Sequence, residues 1–314
     1  MSTSIKGLSV SPLYNVLLFS GFWALQIFIA KLGFLNGVMV LPFQLIMVLA
    51  AVVTLALVIL PGTGRDLASL FRNHPSIFWQ LFLANAIQAG LGTSLSIIGI
   101  ALTDTINAGF LVKMGTVTTI LFAWLILKEN MSIMKVGVVF GMLLGAYLLT
   151  TAGQRMYPRV GDLLILAACF CWSLGNVLVR KILKTKSVRA DVVTLQKPLA
   201  SLPVFMILVF FSIYFPGVFG NLANVLQCCS VSMTSLPYAI ASGICLALAW
   251  IFLYRTLHMA TASYMTLMSM VTPIIVSFLA LVFLNERLIW IQVLGAGLIL
   301  FSGAATYISD IVFN

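Results

Sequence analysis

The chain has 314 residues, 62% of them hydrophobic and 8% charged, with a mean hydropathy of +1.15. Those proportions exclude a soluble globular domain, a disordered chain and a secreted disulfide scaffold. The net charge of +10 would suggest nucleic acid in a soluble protein, but here the few charged residues fall between hydrophobic runs. The basic bias therefore reports membrane topology, and no nucleic-acid partner is expected.

A bilayer crossing takes about 20 apolar residues. Apolar runs between charged or Pro/Gly-rich breaks predict ten spans, near 13–31, 41–60, 77–101, 105–127, 132–152, 160–180, 195–215, 236–256, 262–284 and 290–309. The expected fold class is thus all-α integral membrane. The run from Leu13 is too long for a signal-peptide core and has no small-residue cleavage site, so it stays as the first span. From Pro198 to Tyr254 there is no acid, lysine, arginine or histidine, so the division there rests on Pro216, Gly217, Gly220, Asn221 and Asn224. The stretch 218–228 reads alternatively as a short helix in the interface.

Lysine and arginine collect in loops that stay in the cytoplasm. With the N-terminus inside, twelve lie on that side: Lys6, Arg65, Arg72, Lys128, Lys135, Arg180, Lys181, Lys184, Lys186, Arg189, Lys197 and Arg255. Four lie opposite, Lys31, Arg155, Arg159 and Arg287, which leaves Lys113 alone inside a span. Both termini are expected in the cytoplasm, with the chain in the plasma (inner) membrane.

Span 1 carries Trp23, Gln26 and Lys31, and span 2 carries Gln44. In span 3, Asn85 and Gln88 lie at mid-depth, and Gln88, Gly92, Ser96 and Gly99 share one helical face, either a cavity wall or a close helix contact. Amides in lipid need partners. Each reads singly as an interhelical hydrogen bond worth about 0.6 kcal/mol, and together they read as a polar interior.

Span 4 holds the sharpest signal, because Lys113 lies well inside it with no acidic residue within a helical turn or two. A lysine near the bilayer centre costs about 2.5–3.5 kcal/mol on insertion scales. It faces a water-filled cavity or a partner, or it is a structural lysine tied to backbone carbonyls or snorkelling to the interface. No Asp or Glu lies at mid-depth in any span, so the natural partner is an anionic group on a substrate, a carboxylate or phosphate. Thr116 follows one turn later on the same helix.

Span 5 repeats glycine every four residues at Gly137, Gly141 and Gly145, a spacing for close helix packing, and also carries Tyr147. Span 6 opens at Asp162, which can cap its N-terminus, and continues through Cys169, Cys171, Trp172 and Asn176 to Arg180. Span 8 carries Cys245 and Trp250, and span 9 carries Tyr264, Ser269 and Thr272-Pro273. Pro273 removes an amide hydrogen bond and leaves a carbonyl free, which makes it a candidate gate or simply a bend. Trp23, Trp172 and Trp250 can line a pocket and stack on an organic substrate, or fill the core. Trp79 and Trp290, near span starts, read as interfacial anchors.

Asp104, Glu129, Asp162, Glu286 and Asp310 sit at span ends, where capping or loop pairing is expected. The five cysteines, Cys169, Cys171, Cys228, Cys229 and Cys245, have no histidine at ligand spacing, and His74 and His258 have no visible partner. Neither a metal site nor a cofactor is expected.

The halves show weak internal similarity of the kind inverted repeats leave. Trp23 and Lys31 stand eight residues apart, as do Trp172 and Arg180; Lys128-Glu129 matches Asn285-Glu286-Arg287; and the closing spans carry Gly137, Gly141 and Gly145, then Gly295, Gly297 and Gly303. The expected architecture is two inverted five-helix repeats, residues 1–152 and 153–314.

These residues, with Thr272-Pro273, resemble the ten-helix EamA-type transporters of the drug/metabolite transporter superfamily. The resemblance implies a central cavity walled by spans 1–4 and 6–9, with spans 5 and 10 peripheral. It implies a secondary active transporter working by alternating access, with export of an amino acid or related metabolite first. Uptake antiport of a nucleotide-type or phosphorylated metabolite is the alternative. Gly115-Thr116 stands where span 9 has Thr272-Pro273, so span 4 lacks the matching proline. An intramembrane enzyme would need acidic or histidine clusters and a channel would need pore-lining rings, and the sequence offers neither. The expected substrate contacts are Lys113, Gln26, Asn85, Gln88, Asn176, Trp23, Trp172, Trp250, Thr116, Thr272 and Tyr264. The expected partners are a small-molecule substrate, the lipid bilayer, and a coupling ion or counter-substrate, in a monomer or homodimer.

Overall fold

The structure is a computed structural model that describes residues 12–35, 40–103, 108, 110–130, 132–186, 188–214, 236–284 and 288–313. Among them there are helices and no strands. Asp104, Cys228, Cys229, Glu286, the turn residues from Pro216 to Asn224 and the interfacial helix expected at 218–228 lie outside the described residues.

The first two helices, α1 (Pro12–Leu35) and α2 (Val40–Val58), are apolar on all sides, as helices surrounded by lipid and neighbouring helices are. A helix that no predicted span contains follows: α3 (Leu60–Asn73) turns 98° away from α2. Pro61 opens it, where its missing N–H leaves no bond unmade. Thr63 and Leu70 are buried beneath it while Arg65 and Arg72 are exposed, so α3 lies amphipathically across the end of the bundle.

Predicted span 77–101 is one helical rod in three parts. It runs as α4 (Pro75–Asn85), a π-helical turn (Ala86–Gly92) and α5 (Thr93–Ala101). The turn lies where neighbours crowd the backbone, since a Cβ on Gly90 would meet Val204 and one on Gly92 would meet the Trp172 ring. Span 105–127 is corrected more sharply. Its continuous helix, α6 (Met114–Leu127), starts only after Lys113, which therefore sits at a break instead of inside a rod.

The remaining helices are α7 (Ile133–Thr151), α8 (Val160–Thr185), α9 (Ala190–Tyr214), α10 (Leu236–Met259), α11 (Ala262–Met268), α12 (Thr272–Leu284) and α13 (Trp290–Phe313). A 3₁₀ turn, Ser269–Val271, separates α11 from α12. Because α9 begins at Ala190, Lys197 lies inside it and leaves the cytoplasmic loop count, which falls from twelve to eleven against four. Seven of the described helical segments are long and apolar enough to cross a membrane, or up to eight with α2–α3 counted as a bent span.

The helix α1 packs along α10, α2 against α10, α8 against α5 and α6, and α7 along α13. The α7–α13 pair closes backbone on backbone: a Cβ on Gly145 would lie 2.7 Å from the Gly295 carbonyl oxygen, so only glycine fits. Gly141 faces the Ser302 hydroxyl. Gly137 has open space beside it, so the expected packing stripe is shorter than its spacing suggests. Phe140 and Phe301 point outward from this pair, which leaves the polar interior to the other helices.

Candidate binding cavity

A cavity of about 360 Å³ opens among α1, α2, the π-helical turn, α6 and α8 to α12. Trp23, Gln26, Gln44, Gln88, Lys113, Thr116, Trp172, Asn176, Trp250, Ser269 and Thr272 all line it. Of the expected contacts, Asn85 and Tyr264 do not reach its wall, and neither does the candidate gate Pro273. Asn85 is fully buried one layer behind, Tyr264 is buried in α11, and Pro273 is buried at the start of α12. Tyr147 is elsewhere, donating its hydroxyl to the Gln154 carbonyl at 2.9 Å.

The helix breaks are made by identifiable bonds. Pro273 cannot donate to the carbonyl of Ser269, and the Thr272 hydroxyl takes that carbonyl instead at 2.7 Å. At Lys113 there is no proline. The backbone there tightens to short-range bonds, with Lys113 donating to Phe110 at 2.8 Å and Thr116 to Lys113 at 3.0 Å. The neighbouring helix α8 covers the carbonyls this frees: Cys169 Sγ donates to Leu111 at 3.4 Å and the Ser173 hydroxyl to Gly115 at 3.0 Å. Ser173 also bonds Thr118 at 2.6 Å and Thr119 at 2.9 Å, tying α6 to α8. The two breaks meet where Thr116 Oγ1 donates to Met270 Sδ at 3.3 Å.

Behind Gln88 runs a chain of amides and a phenol. Gln88 donates to Asn176, and Tyr254 lies 3.0 Å from Gln88 Oε1 and 2.6 Å from Asn85 Oδ1. A phenol has one hydrogen. With the Asn85 amide turned over, its Nδ2, otherwise without a partner, donates to the phenol, which then donates to Gln88, giving one directed chain from Asn85 to Asn176. On the opposite wall Gln26 donates to Ser242 at 3.3 Å, whose hydroxyl lies 3.2 Å from the Gln26 carbonyl. The expected face of Gln88, Gly92, Ser96 and Gly99 divides accordingly: Gln88 lines the cavity, whereas Gly92 seats Trp172 and Gly99 abuts Gly161.

Lys197 is the wall residue that the span boundaries concealed. It is 4% exposed, with Nζ 4.9 Å from the Trp250 ring centre and 5.1 Å from that of Tyr254. Trp250 and Tyr254 are one turn apart on α10 and so face the same way. Cation–π contacts contribute about 0.5–2 kcal/mol, less than the cost of about 2.5–3.5 kcal/mol for a mid-membrane lysine. The rings offset only part of it. The sequence signal for this residue was Asp191, an acid suited to a helix's first turn, which marks the start of α9 ahead of Lys197. Among the described residues, no acidic side chain lines the cavity and no ion pair or hydrogen bond reaches either lysine's ammonium.

One end of the bundle is tied across helices. Lys128 takes a left-handed conformation, φ 54°, closing α6 and turning Glu129 toward α11. The Glu129 carboxylate accepts from the Ala262 amide at 3.0 Å and the Ser263 hydroxyl at 2.6 Å, the capping role expected of a span-end acid. Arg189 bridges Asp66 at 2.7 Å, Arg255 bridges Asp191 at 3.3 Å, and Arg180 donates to the Leu257 carbonyl at 2.6 Å. Asp162 accepts from the Arg159 amide at 2.8 Å, closing the N-terminus of α8 as expected. Among the described residues no three His, Cys, Asp or Glu converge as a metal site. The arrangement suits reversible binding of a small molecule, for it holds a hydrogen-bonding wall, an aromatic wall and two cations.

Residues 159–308 match the EamA-like transporter family. Over 96 residues the chain is 29% identical to the uncharacterized transporter YyaM of Bacillus subtilis (strain 168), a match covering 29% of this chain and 32% of YyaM. The chain thus spans about a third of that curated relative's length. A protein known from its crystal structure superposes with a TM-score of 0.69 at 16% identity, over 96% of this chain and 99% of the other, a likeness of fold.

Proposed function

From a multi-pass integral membrane protein whose residues 159–308 match the EamA-like transporter family, we propose a secondary active transporter for a small organic metabolite bearing a carboxylate or phosphate. Alternating access of two inverted halves, residues 1–152 and 153–314, moves the cargo, with export of an amino acid or related metabolite as the direction. Ten crossings follow if α2 and the two shorter apolar helices, α6 and the Trp290–Ala305 part of α13, cross beside the seven longer segments. Two features support the halves. Lys128-Glu129 and Asn285-Glu286 align in the same register that aligns Gly115-Thr116 with Thr272-Pro273. In that register both helices break, at Lys113 and at Ser269–Val271. With eleven lysines and arginines against four, both termini lie in the cytoplasm of a plasma (inner) membrane protein. The ties made by Glu129, Arg189 and Arg255 then close the cytoplasmic end.

The observation that carries this reading is Lys113: a cation at a helix break, lining the cavity with no acid in the wall among the described residues. An anionic cargo supplies the missing charge. The test is counterflow in proteoliposomes, preceded by thermal-shift screening against amino acids, other carboxylates, nucleotides and sugar phosphates, since a specific ligand raises apparent stability. Labelled anion exchanges for unlabelled in the wild type. Lys113→Gln inserts and stays monodisperse but loses at least tenfold in apparent affinity, about 1.4 kcal/mol or more. Unchanged affinity and rate in Lys113→Gln would return that lysine to a structural role and remove the anionic cargo.

A further inference from the structure

Lys113 leaves a second cation in the cavity unexplained. Lys197 lines the same wall from α9, and its ammonium rests against the rings of Trp250 and Tyr254. A purely structural lysine in a membrane bundle pairs with an acid or with backbone carbonyls. Among the described residues, Lys197 has neither and is held by aromatic faces alone. Such faces favour a cation without neutralising it, so two uncompensated positive charges face one small cavity.

The two lysines also enter at different depths. The beginning of α9 and the end of α6 share one face of the bundle: Asp191 pairs with Arg255 near the end of α10, and Glu129 caps α11, which follows that end directly. Measured inward from that face at a rise of about 1.5 Å per residue, Lys197 lies roughly 10 Å deep from Ala190 and Lys113 roughly 20 Å deep from Leu127. The rings of Trp250 and Tyr254 hold the Lys197 ammonium at the shallower level, so a cargo with an anionic group toward each end meets both cations.

We infer that the cavity takes a cargo carrying two separated anionic groups, one held by Lys113 and the other by Lys197, whose ammonium rests on the Trp250 and Tyr254 rings. This rests on the anion-transport reading above and adds the second group. The hydroxyls and amides of Thr116, Gln88 and Asn176 line the same cavity and meet the polar middle of the cargo.

The test uses the full chain in proteoliposomes and compares each of two diacids, succinate and glutarate, with its half-amide, succinamate and glutaramate. The half-amides keep length and shape and lose one charge. In the wild type the diacids compete for exchange at least tenfold better than their half-amides. Lys197→Gln removes that preference, lowering diacid affinity about tenfold while the half-amides stay within twofold; Lys197→Arg restores it. Lys113→Gln lowers both kinds. Equal weakening of diacid and half-amide by Lys197→Gln, or a wild type that does not favour diacids, would overturn the second anchor while leaving single-anion transport in place. A wild type that inserts and stays monodisperse but exchanges no anion of the wider screen would overturn the anion reading itself.

Discussion

Lys113 and Lys197 bring the same charge to the same cavity by different physical means. Lys113 stands at a helix start, where the carbonyls of Leu111, Val112 and Gly115 accept from Cys169 and Ser173 on α8, and no aromatic ring covers its ammonium among the described residues. Lys197 sits inside a continuous helix, 4% exposed, with two rings beside its ammonium. A bundle can keep a lysine by breaking a helix so that the ammonium opens onto a cavity, or by giving it rings to rest on. The first leaves the charge available. The second holds it in place until something more negative arrives.

The largest effect expected from disturbing this contrast comes at Trp250, because it builds only the Lys197 side. Its ring is 5% exposed, and Trp250→Ala leaves a void beside the cavity while removing one of the two faces under the ammonium. Large-to-small changes of this kind cost on the order of 3 kcal/mol, read as a lowered midpoint of thermal unfolding in detergent. Diacid exchange falls with it, and half-amide exchange by the protein that remains folded does not. Trp250→Phe keeps a ring and recovers more than half of the loss. Equal effects on both kinds of cargo would mean that the two lysines form one site and that the contrast between them has no functional content.

Tyr254→Phe sharpens the comparison at smaller scale. It keeps the ring whose centre lies 5.1 Å from Lys197 Nζ and removes only the hydroxyl that lies 2.6 Å from Asn85 Oδ1 and 3.0 Å from Gln88 Oε1. Buried amide groups then lose a partner, which costs about 1–3 kcal/mol in stability. Cargo preference is expected to stay as in the wild type, because the ring serves the cation and the hydroxyl serves the amides. Thermal unfolding and the diacid-to-half-amide ratio, measured on the same preparation, separate the two roles.

What the sequence made legible follows from how each feature is encoded. Gln26, Gln88, Lys113, Thr116 and Asn176 stand out because polar groups in apolar runs are costly, and all five line the cavity. Lys197 did not stand out, because it fell at the edge of the predicted span 195–215 and was counted with the cytoplasmic loop, whereas α9 begins at Ala190 and runs through Lys197, Pro198 and Pro203. Asn85 was visible as a buried amide, but hydropathy does not distinguish a wall from the layer behind it, and only the Tyr254 contact places it there. The amphipathic α3 escaped because a search for long apolar runs passes over a helix with Arg65, Asp66 and Arg72 on it. Gly141 and Gly145 were readable from spacing, but the same spacing continued to Gly137, where no neighbour waits.

The smallest expected effect concerns why the helix at Lys113 breaks without a proline. On the α11–α12 side Pro273 removes a donor, and the Thr272 hydroxyl takes the Ser269 carbonyl in its place. On the α6 side, among the described residues, the glycine at the break is Gly115, and it does not adopt a left-handed φ. A Cβ there would meet only Cys169 Sγ, at 3.8 Å, an ordinary contact. If α8 holds the break through Cys169 and Ser173, Gly115→Ala leaves it in place. Stability then changes by under about 1 kcal/mol, upward, as replacing a helical glycine allows, and Lys113-dependent exchange stays within twofold. A drop in exchange of tenfold or more would instead assign the break to glycine's freedom. The position of Lys113 would then depend on its own strand of backbone, whereas Lys197 depends on rings borrowed from a neighbouring helix.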